Sequence, residues 1–378
     1  MEKQLASRKW TSALNAYFFE KSRFQPLGLI RIVLPILCAY QVFRDYEWMQ
    51  GLTFINPALD KLHEPSMLIK LLGLPFPLAP EYAQPFAVLY YVVAGCAALG
   101  LGTRPALFIF GLATIYLVDI DVSRGFFNHE ASLISQVLLV LSVAPGSTSF
   151  SVDRLLGTLS KQPSGPQKPL WRVLAGPPVP AWGYKLILIL LACTYFTAGV
   201  SKVRYGGMEW LDGQTLTHYL DGSANPYTPG NKPMYIGPPD VPQQEKWKDG
   251  FGIYTYSYGN RQGSPFWQKV GHFITATPLY IQVFAIAATL FELCAFTLLL
   301  SGWPRVLYLL GAILMHKSIG FLMNLPFIDY QALCFLLIDW RWVFAQVPAG
   351  AKTLVKRQLV RVVPGFRAVP EGATSVAQ

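Results

Sequence analysis

Apolar residues run through this chain in long blocks, and the short polar stretches between them carry most of the charge. Such blocks read as helices crossing a bilayer, where every backbone polar group must be satisfied within the segment. Eight are predicted, at residues 27–43, 85–101, 106–120, 132–143, 181–200, 278–300, 306–322 and 330–343. Ahead of them, residues 1–26 place Leu5, Trp10, Leu14, Tyr17 and Phe18 at near-helical spacing, with Lys3, Arg8, Lys9, Lys21 and Arg23 between. That pattern predicts a short amphipathic helix on an anionic membrane surface.

The polar stretches differ in kind. Residues 44–83 read as a Pro-containing loop with a re-entrant apolar piece around 68–78. Gly102-Thr103-Arg104-Pro105 is a tight turn, and 119–130 is a polar connection. Residues 146–180, rich in Pro, Gly, Ser and Lys, form the best internal boundary. A long loop over 204–275 has a Pro-, Gly- and Asn-rich middle, and 253–258 alternates as a short strand does. The chain therefore divides into an amphipathic N-terminus (1–26), a membrane domain (27–346) and a basic tail (347–378).

Composition agrees with this pattern. The chain is 52% hydrophobic and 14% charged, with a mean hydropathy of +0.34; soluble domains carry about 25% charged residues. The expected fold is all-α, a polytopic integral membrane protein of about eight transmembrane helices with one long extracytoplasmic loop. A net charge of +10 could suggest a nucleic-acid partner. The basic residues fall mainly in alternate loops and the tail, which is an orientation pattern and argues for no nucleic acid. Both termini are then cytoplasmic, and Lys202, His129, Asp119 and Asp121 converge on the outer side. The first 26 residues lack the apolar core of a cleavable signal peptide. Cys38, Cys96, Cys193, Cys294 and Cys334 all lie in apolar blocks without a CxxC pair, as buried packing residues do.

Chemistry concentrates after the fifth block. Tyr195-Phe196-Thr197-Ala198-Gly199-Val200-Ser201-Lys202 is followed by Glu209-Trp210-Leu211-Asp212-Gly213-Gln214. Ala198 and Gly199, just before the lysine, let another helix or a flat ligand approach the backbone. Lys202 can snorkel to the headgroups or be held in a dry pocket as a base. Glu292 and His316 lie inside spans, where polar groups need partners, and they can satisfy each other. His129 can be a site residue or the start of the fourth helix, with Asn128 as its N-cap. Asp119 and Asp121 read as partners for Arg124 or Arg31, and His63, His218 and His272 as incidental loop residues. No HxxxH or HExxH spacing supports a metal site.

These residues resemble a known family. The 195–202 segment with Trp210-Leu211-Asp212-Gly213, the Asn128-His129 pair, Phe291-Glu292-Leu293 and Leu314-Met315-His316 are similar to the horizontally transferred transmembrane (HTTM) domain. That is the membrane domain of vitamin K-dependent γ-glutamyl carboxylases and their bacterial relatives, and the resemblance spans 27–342. It implies a carboxylase-like enzyme of a bacterial inner membrane. It implies reduced vitamin K (a menaquinol- or phylloquinol-type naphthohydroquinone), O2 and CO2 as cofactors, and the bilayer, a lipophilic quinone and a peptide or protein glutamate as partners. By that resemblance Lys202 is the base and His129 stabilises the oxygenated intermediate. Asn128, Phe196, Gly199, Trp210, Gly213, Glu292 and His316 then belong to the quinone-binding set. Ser201 departs from the family, whose vertebrate members have a second lysine there. The carboxylases also carry a large lumenal domain after the membrane core, where this sequence has residues 344–378. Quinol epoxidation is therefore a firmer expectation than peptide carboxylation. A non-catalytic role in maturing or exporting a secreted peptide is the alternative, ahead of solute transport, for which no internal repeat is seen.

Overall fold

The computed structural model describes residues 2–22, 24, 26–44, 65, 67–76, 78–123, 129–160, 169–220, 264–323, 325 and 327–348. The chain divides into two compact units, Met1–Leu337 and Ile338–Gln378.

The apolar blocks fold as helices. In the first unit α1 (Glu2–Phe19) precedes α2 (Leu27–Arg44), and a short α3 (Met67–Leu72) precedes α4 (Ala83–Leu99), α5 (Thr103–Ser123) and α6 (His129–Val143). After α7 (Val152–Leu159) and α8 (Leu170–Ala175) comes α9 (Trp182–Ser201), which runs into a π-helical turn, Lys202–Gly206. Then follow α10 (Gly207–Leu211), α11 (Gln214–Leu220), α12 (Pro265–Thr275), α13 (Pro278–Leu293) with a 3-10 extension Cys294–Leu299, α14 (Trp303–Met323) and α15 (Ile328–Leu337). Helix α9 packs against α6 and against α13 with its extension, while α15 joins α14 to α2. Its inner residues Ile187, Leu188 and Leu191 are fully buried.

Among the described residues, four helices are long and apolar enough to cross a membrane: Thr103–Ile120, Trp182–Gly206, Pro278–Leu299 and Trp303–Met323. Leu27–Phe43, Ala83–Leu99, Ser132–Val143 and Ile328–Leu337 are shorter apolar helices. Large apolar side chains such as Val283, Phe296, Leu307 and Leu314 stay exposed on the outer faces, as lipid-facing residues do.

Several expectations are corrected. Residues 119–123 continue α5 and do not begin a polar connection. The expected loop from 204 begins with the π turn, α10 and α11 and ends with α12; residues 221–263, with the predicted strand at 253–258, lie outside the described residues. Within the piece expected over 68–78, the helix α3 ends at Leu72 and Gly73 follows at φ 61°. The predicted eighth span is broken. It stops at Leu337, and in the second unit α16 (Trp340–Gln346) starts afresh because the Asp339 carboxylate accepts from the Trp342 amide as an N-cap.

The Pro/Gly-rich linker is not a boundary; its described residues belong to the first unit. Val179–Pro180 pairs antiparallel with Lys21–Ser22. Arg31, fully buried in α2, holds the linker to the end of α4. Its Nη1 donates to the carbonyls of Ala97 (2.8 Å) and Ala98 (2.7 Å), and its Nη2 to those of Ser149 (3.2 Å) and Phe150 (2.9 Å). Carbonyls at a helix C-terminus lack intrahelical donors, so a guanidinium meets a real need there. Gly100 ends α4 at φ 73°, and a Cβ there would sit 2.4 Å from the Cβ of Ser151. Asp153 accepts from the amides of Gly102 (2.9 Å) and Thr103 (2.7 Å) and from the Thr103 hydroxyl (2.8 Å), capping α5. Partial burial opposes its charge, but these bonds and the Arg31 charge outweigh that and hold its carboxyl below the ordinary value.

Candidate active site

Helix α9 carries Tyr195, Gly199 and Lys202 on one face, because residues four and seven apart align on a helix. Gly199 is buried, and a Cβ there would lie 3.0 Å from both the Cβ of Glu292 and the amide of Leu293. Of the two approaches foreseen for this small residue, the neighbouring helix is the one found. Its absence of a side chain lets α9 and α13 touch, and the contact places Glu292 level with Lys202.

The Lys202 amine donates to Glu292 Oε1 in an ion pair across the two helices. The lysine side chain is 22% exposed and the glutamate 8%. An anchor that snorkelled to the headgroups would extend outward; this one turns inward to a carboxylate. Both residues sit where helical pitch changes. Lys202 opens the π turn, and Glu292 closes the α-helical part of α13 just before its 3-10 extension. Single π turns inside α-helices frequently mark functional sites.

Trp210 covers the pair, with the amine 5.2 Å from its ring centroid. Such stacking favours a cation at the indole face. The π turn brings α10 back over the lysine. Gly206 belongs to that return, since a Cβ there would lie 2.7 Å from the Cβ of Trp210. Gly213, at φ 82°, docks the same segment on α13, where a Cβ would meet Ile281 at 2.8 Å. The Trp-x-x-Gly spacing thus has a mechanical meaning: the tryptophan roofs the amine and the glycine seats the roof. The Trp210 Nε1 and Glu292 Oε2 atoms are buried without a hydrogen-bond partner among the described residues.

Glu292 and His316 do not satisfy each other. The His316 Nε2 is 2.7 Å from the Tyr195 hydroxyl, and Nδ1 has no partner among the described residues. Glu292 has its own, nearer partner in Lys202, so the carboxylate is already engaged. Tyr195, Tyr308, His316 and Tyr330 form an aromatic cluster beneath the pair, and Phe291 stacks on Tyr308 with ring centroids 4.3 Å apart. Tyr195 and Tyr308 received no role from the sequence. The available signal was spacing: Tyr195 lies seven residues before Lys202, and Tyr308 eight before His316.

Other expected residues lie elsewhere. Phe196 is 47% exposed, roughly a quarter-turn off the Lys202 face, and presents its ring outward. His129 is the first residue of α6, while its side chain and all of Asn128 lie outside the described residues. Arg31 bonds the carbonyls named above. Among the described residues no group of His, Cys, Asp and Glu could hold a metal ion.

A family model described as the HTTM domain matches residues 20–229, more than half of the 378-residue chain, and the chain belongs to that family. Vitamin K carboxylase-like proteins are the general context of the domain. With its apolar helices, the chain is a multi-pass membrane protein. Neither the curated proteins nor the solved structures contain a match. The family match takes in Lys202, Trp210 and Gly213 and ends before Glu292 and His316, whose place in the site rests on geometry.

Proposed function

We propose that this protein is a vitamin K-type quinol-oxygenating enzyme, coupling formation of the quinone epoxide to carboxylation of a glutamyl substrate. The observation that carries the reading is the Lys202–Glu292 pair, turned inward beneath Trp210 where a lipid anchor would turn outward.

The residues fit an aromatic hydroxyl ligand. Glu292 Oε2 and Trp210 Nε1 are buried and without described partners, which supplies one acceptor and one donor. A reduced naphthoquinone, when bound, supplies the electrons for oxygen chemistry. The chain supplies proton handling at the pair, a cation beside developing oxyanion charge, and an aromatic roof that excludes water. His129, at the start of α6, is assigned the stabilisation of the oxygenated species. We place the chain's eight apolar helices, the last of them ending at Leu337, in a bacterial plasma membrane, with both termini cytoplasmic and the pair near the extracytoplasmic face, so that a lipophilic quinol arrives from the bilayer.

The test is epoxide formation by the full-length protein in nanodiscs given reduced vitamin K, O2 and bicarbonate. The expected result is epoxide from the wild type and none from Lys202→Ala; equal rates in the two proteins would remove the assignment.

A further inference from the structure

Helices α7 and α8, between the apolar helices α6 and α9, are pinned on one side and bare on the other. On the pinned side, Asp153 in the first turn of α7 accepts from the Gly102 and Thr103 amides that open α5. Just before α7, the Ser149 and Phe150 carbonyls accept from Arg31, which also holds the last carbonyls of α4. Helix α8 returns to the same place. The Phe150 amide donates to the Leu174 carbonyl at 2.9 Å, and the Ser149 hydroxyl to the Ala175 carbonyl at 2.8 Å. Thr103–Ile120 is apolar and long enough to cross a membrane, and Ala83–Leu99 is a shorter apolar helix. The turn that joins them marks a bilayer surface, and these bonds fix α7 and α8 at its level.

The bare side is apolar. Leu156 and Leu159, three residues apart and so on one face of α7, are exposed, Leu159 at 72%. Leu170 and Trp171, which open α8, are exposed as well. Leu155, Val173 and Leu174 are half-buried, so both helices are two-sided. The free charge beside the bare side is basic. Arg172 is exposed, with its guanidinium 5.1 Å from the centroid of the Trp171 ring, and Arg104, also exposed, lies in the first turn of α5. The one acidic residue of α7, Asp153, is engaged by the α5 amides. An apolar helix face edged by cations is what an anionic lipid surface receives, and tryptophan beside arginine suits the headgroup level.

We propose that α7 and α8 form an interfacial anchor for a leaflet containing anionic phospholipid. Leu156, Leu159, Leu170 and Trp171 enter the boundary between headgroups and acyl chains, and Arg172 and Arg104 face the lipid phosphates. The bilayer is the occupant because it already adjoins this level of the fold. The anchor is not a loose tether: Asp153 and Arg31 join it to the ends of α5 and α4.

The test is hydrogen exchange, followed by mass spectrometry, on the full-length protein in two kinds of nanodisc: phosphatidylcholine alone, and phosphatidylcholine with phosphatidylglycerol. Amides of α7 and α8 are expected to exchange more slowly in the anionic discs, and about 0.5 M NaCl should erase the difference. Arg172→Gln should exchange about fivefold faster than the wild type in the anionic discs, and at the wild-type rate in the others. Equal wild-type exchange in the two lipids would overturn the proposal, and that comparison needs no variant. A photo-crosslinking amino acid in place of Leu159, activated in whole cells, is expected to capture phospholipid; capture of a protein instead would also overturn it.

Discussion

Lys202 and Glu292, 90 residues apart in the chain, meet in an ion pair where α9 and α13 cross over Gly199. The pair ties the two helices together beside the close approach at Gly199 and is the centre of the candidate site. Those two roles give separable predictions.

Removing one partner leaves the other charge without compensation. Glu292→Ala or Lys202→Ala should each destabilise the folded protein by about 3–5 kcal/mol if the site stays dry. The double change Lys202→Met/Glu292→Leu should cost clearly less than the two singles summed. Unfolding of all variants in nanodiscs gives the coupling energy directly, and additivity would mean the pair does not interact.

The close crossing depends on a missing side chain. Gly199→Ala puts a Cβ 3.0 Å from the backbone amide of Leu293, and overpacking of this kind costs about 1–3 kcal/mol. Ser201→Ala, at an exposed neighbour, should leave the unfolding midpoint unchanged. A midpoint shift for Ser201→Ala and none for Gly199→Ala would contradict the crossing.

Tyr195 holds His316 through one hydroxyl. Tyr195→Phe keeps the ring packing but leaves a buried imidazole nitrogen unsatisfied, at about 1–3 kcal/mol. Because Lys202 and Glu292 do not use that hydroxyl, reactivity of the Lys202 amine toward acylating reagents should be unaltered.

Elsewhere in the fold, Asp153 caps α5 as a carboxylate. Asp153→Ala should lower stability by about 1 kcal/mol at neutral pH. The native state holds this carboxyl below its unfolded value, so its contribution is present above the unfolded pKa, near 3.9. It is lost as pH falls through the native pKa. The gap in melting temperature between wild type and Asp153→Ala should therefore close in acid.

These features were unequally legible in the sequence. Apolar blocks mark helices because length and composition suffice for that, and Lys202, Trp210 and Gly213 stand out because their spacing is local. The partner of Lys202 could not be read, since a contact across 90 residues is set by how helices cross. That gap also let Glu292 and His316 be matched to each other, when each has a nearer partner. Pro and Gly in 146–180 read as a linker and an internal boundary. They could not signal that Arg31 would stitch this segment to α4. Asp339 looked like one polar residue within a span, whereas its carboxylate starts a new helix.

The claim on which the account turns is that the Lys202 amine is held inward by Glu292 and is not a headgroup anchor. Acylation by a water-soluble amine-reactive reagent, followed residue by residue with mass spectrometry, tests it against the exposed Lys70. The account predicts that Lys202 reacts far more slowly than Lys70 in the wild type and markedly faster in Glu292→Ala. Labelling of Lys202 at the Lys70 rate in the wild type, with no change in Glu292→Ala, would contradict it.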